Sequence, residues 1–186
     1  TRHSAVMVRA LDAGAAIVND VTALAGEPAS LHLVARRQAP AVLMHMQGDP
    51  QSMQKQSQYG DVVAEVLQFL ERRLQACRAA GLSDDKLCVD YGIGFGKSLE
   101  HNLALIAATG RFVALGVAVL VGVSRKGFIG RLSRGEPAPA RFPGSIAAAL
   151  AAVGRGAHIL RVHDVAETVQ ALAVWRAVET AGEPRA

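Results

Sequence analysis

Four stretches of the chain run apolar and then end in polar groups that could do chemistry. VAVLVGVSRKGFIG, residues 117–130, delivers Ser124, Arg125 and Lys126 in a row. HILRVH, 158–163, ends in Arg161 and His163, LCVDYG, 87–92, reaches Asp90, and AAIVND, 15–20, reaches Asn19 and Asp20. A cluster of Lys, Arg and His can hold a small anion through charge-assisted hydrogen bonds. Each residue also has a plainer use. Asn19-Asp20 could form a turn or cap a helix, Asp90 could pair with a core cation, and both 124–126 and the pair Arg161/His163 could be solvated surface. The constellation argues for a site more strongly than any member. His45, between Met44 and Met46, reads as a satisfied core histidine.

Parity sorts these residues, because side chains alternate faces along a strand. Leu120, Gly122 and Ser124 share a face that Lys126 continues, whereas Arg125 points the other way. Ile159, Arg161 and His163 share a face; so do Cys88 with Asp90 and Ile17 with Asn19. His158 has the opposite parity to Arg161 and is expected to pack outward. Each set is apolar early and polar at its C-terminal end. The loop GIGFGKS, 92–98, has glycines that permit close backbone approach. It fails G-x-x-x-x-G-K-[ST], whose first glycine falls on Tyr91, and it fails G-x-G-x-x-G, whose last falls on Lys97.

The elements that must position these groups alternate in type. β-type runs at 15–19, 41–46, 87–91, 117–124 and 158–162 are separated by helical patterns at 30–38, 61–80, 99–109 and 143–153. Further helices lie at 4–13 and 165–181. Gly14 and Gly81 sit just past two helices as C-caps, and Ser98 is placed to cap the helix at 99, with Glu100 in its first turn. Residues 134–140 read as a loop. Such alternation means βαβ units and a parallel sheet in one domain, 1–186. Either an open doubly wound sheet or a (β/α)8 barrel with about five of its eight units would fit. In both, ligands bind at the C-terminal strand ends. A complete barrel typically has about 250 residues, and Thr1 lies almost directly on a helix, which reads as a cut within a domain. Strand positions left open would expose sheet edges and destabilise the isolated chain.

Bulk properties exclude other classes. The net charge of +4 comes from scattered Lys and Arg; with no basic run interleaved by aromatics, nucleic acid is not an expected partner. No apolar run is long enough to cross a bilayer. Half the chain is hydrophobic but only 4% aromatic, so Ala, Val and Leu must fill the core. Cys77 and Cys88 fit no metal or redox spacing and read as buried thiols, which suits the cytoplasm.

Five segments carry a family resemblance: GAAIVNDVTAL (14–24), VLMHMQGDPQSMQ (42–54), CVDYGIGFGKSLEHNLALI (88–106), LVGVSRKGFIG (120–130) and GSIAAALAAVGRGAHILRVHDVAETVQAL (144–172). Together they resemble dihydropteroate synthase, over most of the chain and in the family's order. The resemblance implies a TIM barrel of which this chain supplies strands four to eight. It implies condensation of 6-hydroxymethyl-7,8-dihydropterin pyrophosphate with p-aminobenzoate, giving 7,8-dihydropteroate and pyrophosphate for folate biosynthesis. By the same resemblance Asn19 and Asp90 hydrogen-bond the pterin ring and Met44 packs on it. Lys126 contacts the pterin carbonyl side and borders the p-aminobenzoate site, which Ser124 and Phe95 help to form. Arg161 and His163 hold the pyrophosphate; Lys126, Arg161 and His163 are the expected catalytic groups. It further implies Mg2+, whose usual Asn ligand is not in this chain, a homodimer face on the late Ala-rich helices, and a sulfonamide target. Departures are Tyr91, where the family usually has Pro, and the absence of the family's N-terminal motifs. Other readings are a non-catalytic relative that binds pterin or a partner subunit, and another pterin-binding barrel such as a methyltetrahydrofolate methyltransferase. A methyl donor has no pyrophosphate for Arg161 and His163 to hold.

Overall fold

The computed structural model describes residues 1–48 and 58–181; residues 49–54 of the resemblance segment 42–54 lie outside them. The strands are β1 (Val18–Asp20), β2 (Ala41–Met44), β3 (Leu87–Asp90), β4 (Ala118–Val121) and β5 (Ile159–Leu160). The helices are α1 (Ser4–Asp12), α2 (Pro28–Arg37), α3 (Val62–Ala79), α4 (Leu99–Ala107), α5 (Thr109–Val113), α6 (Gly127–Leu132), α7 (Phe142–Val153) and α8 (Val165–Thr180).

The strands pair in parallel in the order β1-β2-β3-β4-β5. This order decides between the two architectures. A doubly wound sheet reverses its strand order at a switch point, and here each strand pairs with the next in sequence, as in a (β/α)8 barrel. Register then sets the faces. Asn19 lies opposite Val42, Val42 opposite Cys88, and Cys88 opposite Ala118. Met44 lies opposite Asp90, and Leu120 opposite Ile159. These residues share the inner face. The alternate set, including Leu43, Val89, Val119 and Val121, points to the helices and lies in the main core.

α3 shows how the outer layer is built. Asp61 accepts from the backbone N–H groups of Val63 and Ala64, a standard N-cap. The buried positions Val62, Val66, Leu70, Leu74 and Cys77 recur at helical spacing and face the sheet. Each buried Leu contributes about 1.5–3 kcal/mol. The Gly14 and Gly81 caps are present, with φ of +95° and +90°. Ser98 caps α4 and Glu100 lies in its first turn, both as expected, and His101 completes a capping box that the sequence reading did not name. The Ser98 hydroxyl accepts from the His101 N–H, and His101 Nδ1 accepts from the Ser98 N–H.

The structure corrects the expected boundaries. The strands are shorter: β1 begins at Val18 rather than 15, β4 stops at Val121 rather than 124, and β5 spans two residues. Beyond Val121 the chain leaves the ladder to enter the site, although a β-branched residue, Val123, follows. The run 99–109 breaks into α4 and α5, with the Thr109 hydroxyl donating to the Ile106 carbonyl at 2.7 Å. α6 is absent from the sequence reading, since Gly127 and Gly130 obscure a six-residue helix. Within the expected loop, Ala138–Arg141 forms a 3₁₀ turn. Among the described residues no helix is long and apolar enough to cross a membrane.

Candidate active site

The C-terminal ends of the strands bring the expected polar residues to one place. Phe95, Gly122, Ser124, Lys126, Arg161 and His163 line a pocket of about 590 Å³. Asp90 lies within electrostatic reach of Lys126 and Arg161, Met44 lies opposite Asp90, and Asn19 lies opposite Val42, two residues earlier on β2. The Asn19-Asp20 pair divides its work by parity. Asp20 faces outward and is wholly buried. Its carboxylate accepts from the N–H groups of Thr22 and Leu24 and from the Thr22 hydroxyl. Asp20 is thus the turn former that the sequence allowed, and Asn19, half-buried, is left to the site.

Asp90 is the electrostatic centre. It is 3% exposed, and its carboxylate accepts from the Gly92 N–H at 2.7 Å. Burial pushes its pKa up, opposed by that hydrogen bond and by the charges of Arg161, Lys97 and Lys126. Three cations therefore surround one carboxylate, and none of them is within ion-pair distance of a described carboxylate. Lys126 lies over the Phe95 ring, its Nζ 4.3 Å from the centroid. Its pKa is lowered by burial and by the neighbouring Arg161, with Asp90 acting the other way.

Two glycines make room for these cations. A Cβ on Gly122 would stand 3.1 Å from Arg161 Nη2. A Cβ on Gly94 would stand 3.3 Å from Lys126 Cδ, and Gly94 also has a φ of +79°. The guanidinium lies across the end of β4 at a distance that a side chain at 122 would force to widen by a few tenths of an ångström.

The turn that carries Lys126 is tied down from several sides. Ser124, 5% exposed, accepts from the backbone N–H of His163 at 3.2 Å and contacts His163 Nδ1 at 2.9 Å. Ser124 therefore links the β4 and β5 loops. Arg125 lines the same pocket beside Lys126, so the expectation from parity that it points the other way does not hold: the ladder has ended at Val121, and from the turn that follows Arg125 forms an ion pair with Asp164. Its φ of +58° is the left-handed region, where a non-glycine residue is uncommon. Its N–H donates to the Ser145 hydroxyl at 2.8 Å, and its carbonyl accepts from Arg141 at 3.1 Å. Asp164, Ser145 and Arg141 are absent from the sequence reading, which offers no signal for partners 16 to 39 residues away. His45 is 7% exposed and hydrogen-bonded, the satisfied core histidine expected. His158 is exposed, and its Nδ1 accepts the Val119 N–H at 3.1 Å, completing the start of the β4 ladder.

Tyr91 points away from the pocket. It is fully buried, its ring 4.9 Å from that of Phe112 and its hydroxyl 3.1 Å from the Thr109 hydroxyl. It braces the end of β3 against α5. Cys77 and Cys88 are buried free thiols, and burial pushes Cys88 up to about 12. Among the described residues no group of three His, Cys, Asp or Glu side chains could hold a metal ion.

Comparison with known proteins agrees with this geometry. The model of the pterin binding enzymes matches residues 1–163. The chain is 45% identical over 170 residues to the dihydropteroate synthase of Escherichia coli strain K12, covering 91% of this chain and 60% of the relative. It is 46% identical over 181 residues to that of Neisseria meningitidis serogroup C, covering 96% and 64%. The chain thus spans about 60% of the length of the curated relatives it matches. The crystal structure of dihydropteroate synthase from Stenotrophomonas maltophilia, with active site-bound imidazole, superposes with a TM-score of 0.93 at 46% identity, covering 99% of this chain and 68% of that one. The Xanthomonas albilineans enzyme in complex with 7,8-dihydropteroate gives 0.90 at 46% identity, covering 99% and 66%. An inner sheet face ending in a buried carboxylate among cations, a sequential parallel strand order and this breadth of similarity lead to one assignment: the chain belongs to the pterin binding enzymes, with the dihydropteroate synthases as its relatives.

Proposed function

We propose that the protein condenses 6-hydroxymethyl-7,8-dihydropterin pyrophosphate with p-aminobenzoate. The observation that carries this reading is the buried Asp90 facing Lys126 and Arg161, with His163 beside them at the same pocket. One end of the pocket suits a polar ring with donor groups, the other a polyanion. An ionised carboxylate is acceptor-only, which fits the donor edge of an aminopyrimidine. Asp90 and Asn19 hold that edge, Met44 packs on the ring, and Lys126 meets the carbonyl side. Arg161 and His163 hold the pyrophosphate. Ser124, through its hydroxyl, keeps the His163 imidazole in place. Phe95 and Ser124 border the p-aminobenzoate position.

In the reaction the amine nitrogen of p-aminobenzoate attacks the exocyclic methylene carbon. The carbon–oxygen bond breaks, its electron pair leaves with pyrophosphate, and the amine gives up a proton. The protein supplies no nucleophile. It aligns two substrates and stabilises negative charge that grows on the leaving group. Two likenesses support the substrate assignment: the Thermus thermophilus enzyme in complex with 6HMPPP, at 47% identity and a TM-score of 0.91, and the Xanthomonas albilineans enzyme with 4-aminobenzoic acid, at 47% and 0.90. The Yersinia pestis enzyme with a sulfonamide drug, at 40% and 0.92, supports sulfonamides as competitors for the p-aminobenzoate position. Mg2+, where it takes part, would be held largely by the oxygens of the pyrophosphate itself, and no step is assigned to it.

The reading includes a homodimer. The apolar groove between α4, α6 and α7, lined by Leu103, Ile106, Phe128, Leu132, Ala147 and Ala151, would meet its equivalent in a second copy; sedimentation equilibrium gives the mass. The decisive test of function is pyrophosphate release from the pterin pyrophosphate, dependent on p-aminobenzoate. Release without p-aminobenzoate, or none in the protein at its full natural length, refutes the condensation.

A further inference from the structure

The loop 92–97 that failed both phosphate-loop patterns ends in Lys97, a residue without a place in the mechanism above. Lys97 is 4% exposed. Its Nζ is 3.0 Å from His45 Nδ1, 3.3 Å from the His45 carbonyl and 3.1 Å from the Phe95 carbonyl. An ammonium has three N–H groups, and three acceptors face it. While Lys97 is charged it can only donate, so Nδ1 accepts from it and the His45 proton sits on Nε2. His45 stays neutral, its pKa pushed down to about 3 by burial and by Lys97. Its ring stands edge-on to Phe69 at 4.9 Å.

This arrangement closes a ring of contacts around the pterin end of the pocket. The His45 N–H donates to the Asp90 carbonyl at 3.0 Å. From Asp90 the chain runs through Gly92, whose N–H holds the Asp90 carboxylate, to Phe95, and at Lys97 it returns to His45. The loop lies so close to the segment after β2 that a Cβ on Gly92 would collide with the His45 carbonyl, and one on Gly96 would stand 2.6 Å from the Gln47 carbonyl. Both glycines have positive φ, +70° and +63°.

We propose that Lys97 is a positioning residue of the pterin site: its buried amine clasps the β3–α4 loop to the end of β2 and so sets Phe95 and the Gly92 N–H that orients Asp90. The inference rests on the pterin reading for its consequence, and on geometry alone for the clasp. A charge effect accompanies it. Lys97 is one of the cations that favour the ionised form of Asp90; Arg161 and Lys126 are the others. Burial lowers Lys97 itself to about 7, with Asp90 opposing and Lys126 reinforcing the shift. The buried His45 imidazole also meets Lys97, while the Cys88 thiol and the Tyr91 phenol feel the charge of Asp90. Below pH ~7 Lys97 is charged, so its removal is felt on the acid side, where Asp90 takes up a proton.

The experiment uses Lys97→Met and Lys97→Gln in the protein at its full natural length, with two readouts. Amide hydrogen exchange is followed at Gly92, Gly94 and Phe95, with Val119 and Val121 as core references. Titration with bare 6-hydroxymethylpterin is carried out from pH ~5 to ~8, a range that brackets the Lys97 value of about 7. Lys97→Met should speed exchange in the loop and not at the references. It should weaken pterin about tenfold, the loss expected from disturbing one charge-assisted contact, and move the acid limb of binding to higher pH. Lys97→Gln keeps a hydrogen-bond donor without charge; it should slow the loop exchange back toward the parent while the acid limb stays displaced. Unchanged loop exchange in both variants overturns the clasp. Faster exchange with unchanged pterin affinity and acid limb reduces Lys97 to a structural role and overturns the positioning. If the parent protein does not bind the pterin, the functional reading fails on that control, and the clasp is judged by exchange alone. Should Lys97→Met fail to fold, Lys97→Gln decides by the acid limb of pterin binding, which should stay displaced to higher pH; a limb that does not move overturns the positioning.

Discussion

Arg161→Ala tests the proposed division of the pocket into an anion half and a ring half. In the structure the guanidinium lies across Gly122, close enough that a Cβ there would stand 3.1 Å from Nη2 and 3.4 Å from Nε. It has no described carboxylate within ion-pair distance, so its charge is available to a ligand anion. A charge-assisted hydrogen bond contributes about 1.5–3 kcal/mol, and each ~1.4 kcal/mol is tenfold in affinity. Arg161→Ala should therefore weaken binding of the pterin pyrophosphate by about 10- to 100-fold. Bare hydroxymethylpterin should lose far less, about threefold, through Asp90 alone. That smaller loss follows because Arg161 helps to keep Asp90 ionised and depresses Lys126. Without Arg161, Asp90 rises further and Lys126 moves back toward its ordinary value. Gly122→Ala is a graded version, since residue 122 needs no positive φ and the new methyl only displaces the guanidinium; it should give a smaller loss of the same selectivity. The assay is calorimetric titration with both ligands at one pH and ionic strength. Equal losses for the two ligands would refute this reasoning and make Arg161 structural.

Asp90→Asn should abolish measurable pterin binding yet raise the melting temperature at neutral pH. A buried carboxyl with a raised pKa destabilises the fold once ionised, so stability falls as pH rises through the window above the ordinary 3.8; a melting temperature that drops at neutral pH would contradict this. Asp164→Asn removes the ion pair that holds Arg125, and should raise KM for p-aminobenzoate several-fold with the melting temperature lowered by only about 2–4 °C, the shift of about 1 kcal/mol. Arg125 lowers the Asp164 pKa through their hydrogen bond, so this contribution is present above pH ~4 and disappears as pH falls below the ordinary value; steady-state kinetics and a pH series of thermal scans check both. Tyr91→Phe should cost about 1 kcal/mol, with kinetics unchanged, because Thr109 keeps its bond to the Ile106 carbonyl; denaturant unfolding measures the loss, and a lower kcat would place Tyr91 in the site.

Local chemistry was legible wherever a residue's role depends on its neighbours in the chain. The Asp90 inner-face assignment, the Gly14 and Gly81 caps and the Ser98 cap all follow from periodicity or from a backbone requirement that one residue type satisfies. Strand ends were misread because β propensity continues through Val123 while the ladder stops at Val121. Propensity describes the residue, and pairing depends on where the neighbouring strand ends.

The sequence by itself determined the parallel α/β class, the polar strand ends and the pterin-binding resemblance, since period, composition and motif order are properties of a linear string. Tertiary structure decided between the two sheet arrangements that the residue pattern left open, because the strand order is sequential, and it decided which loop residues meet. Arg125 lies beside Lys126 in sequence but pairs with Asp164, and Lys97 reaches His45 across 52 residues. Such pairings arise from the meeting of loops at the sheet's C-terminal edge, a distance that chain spacing does not encode.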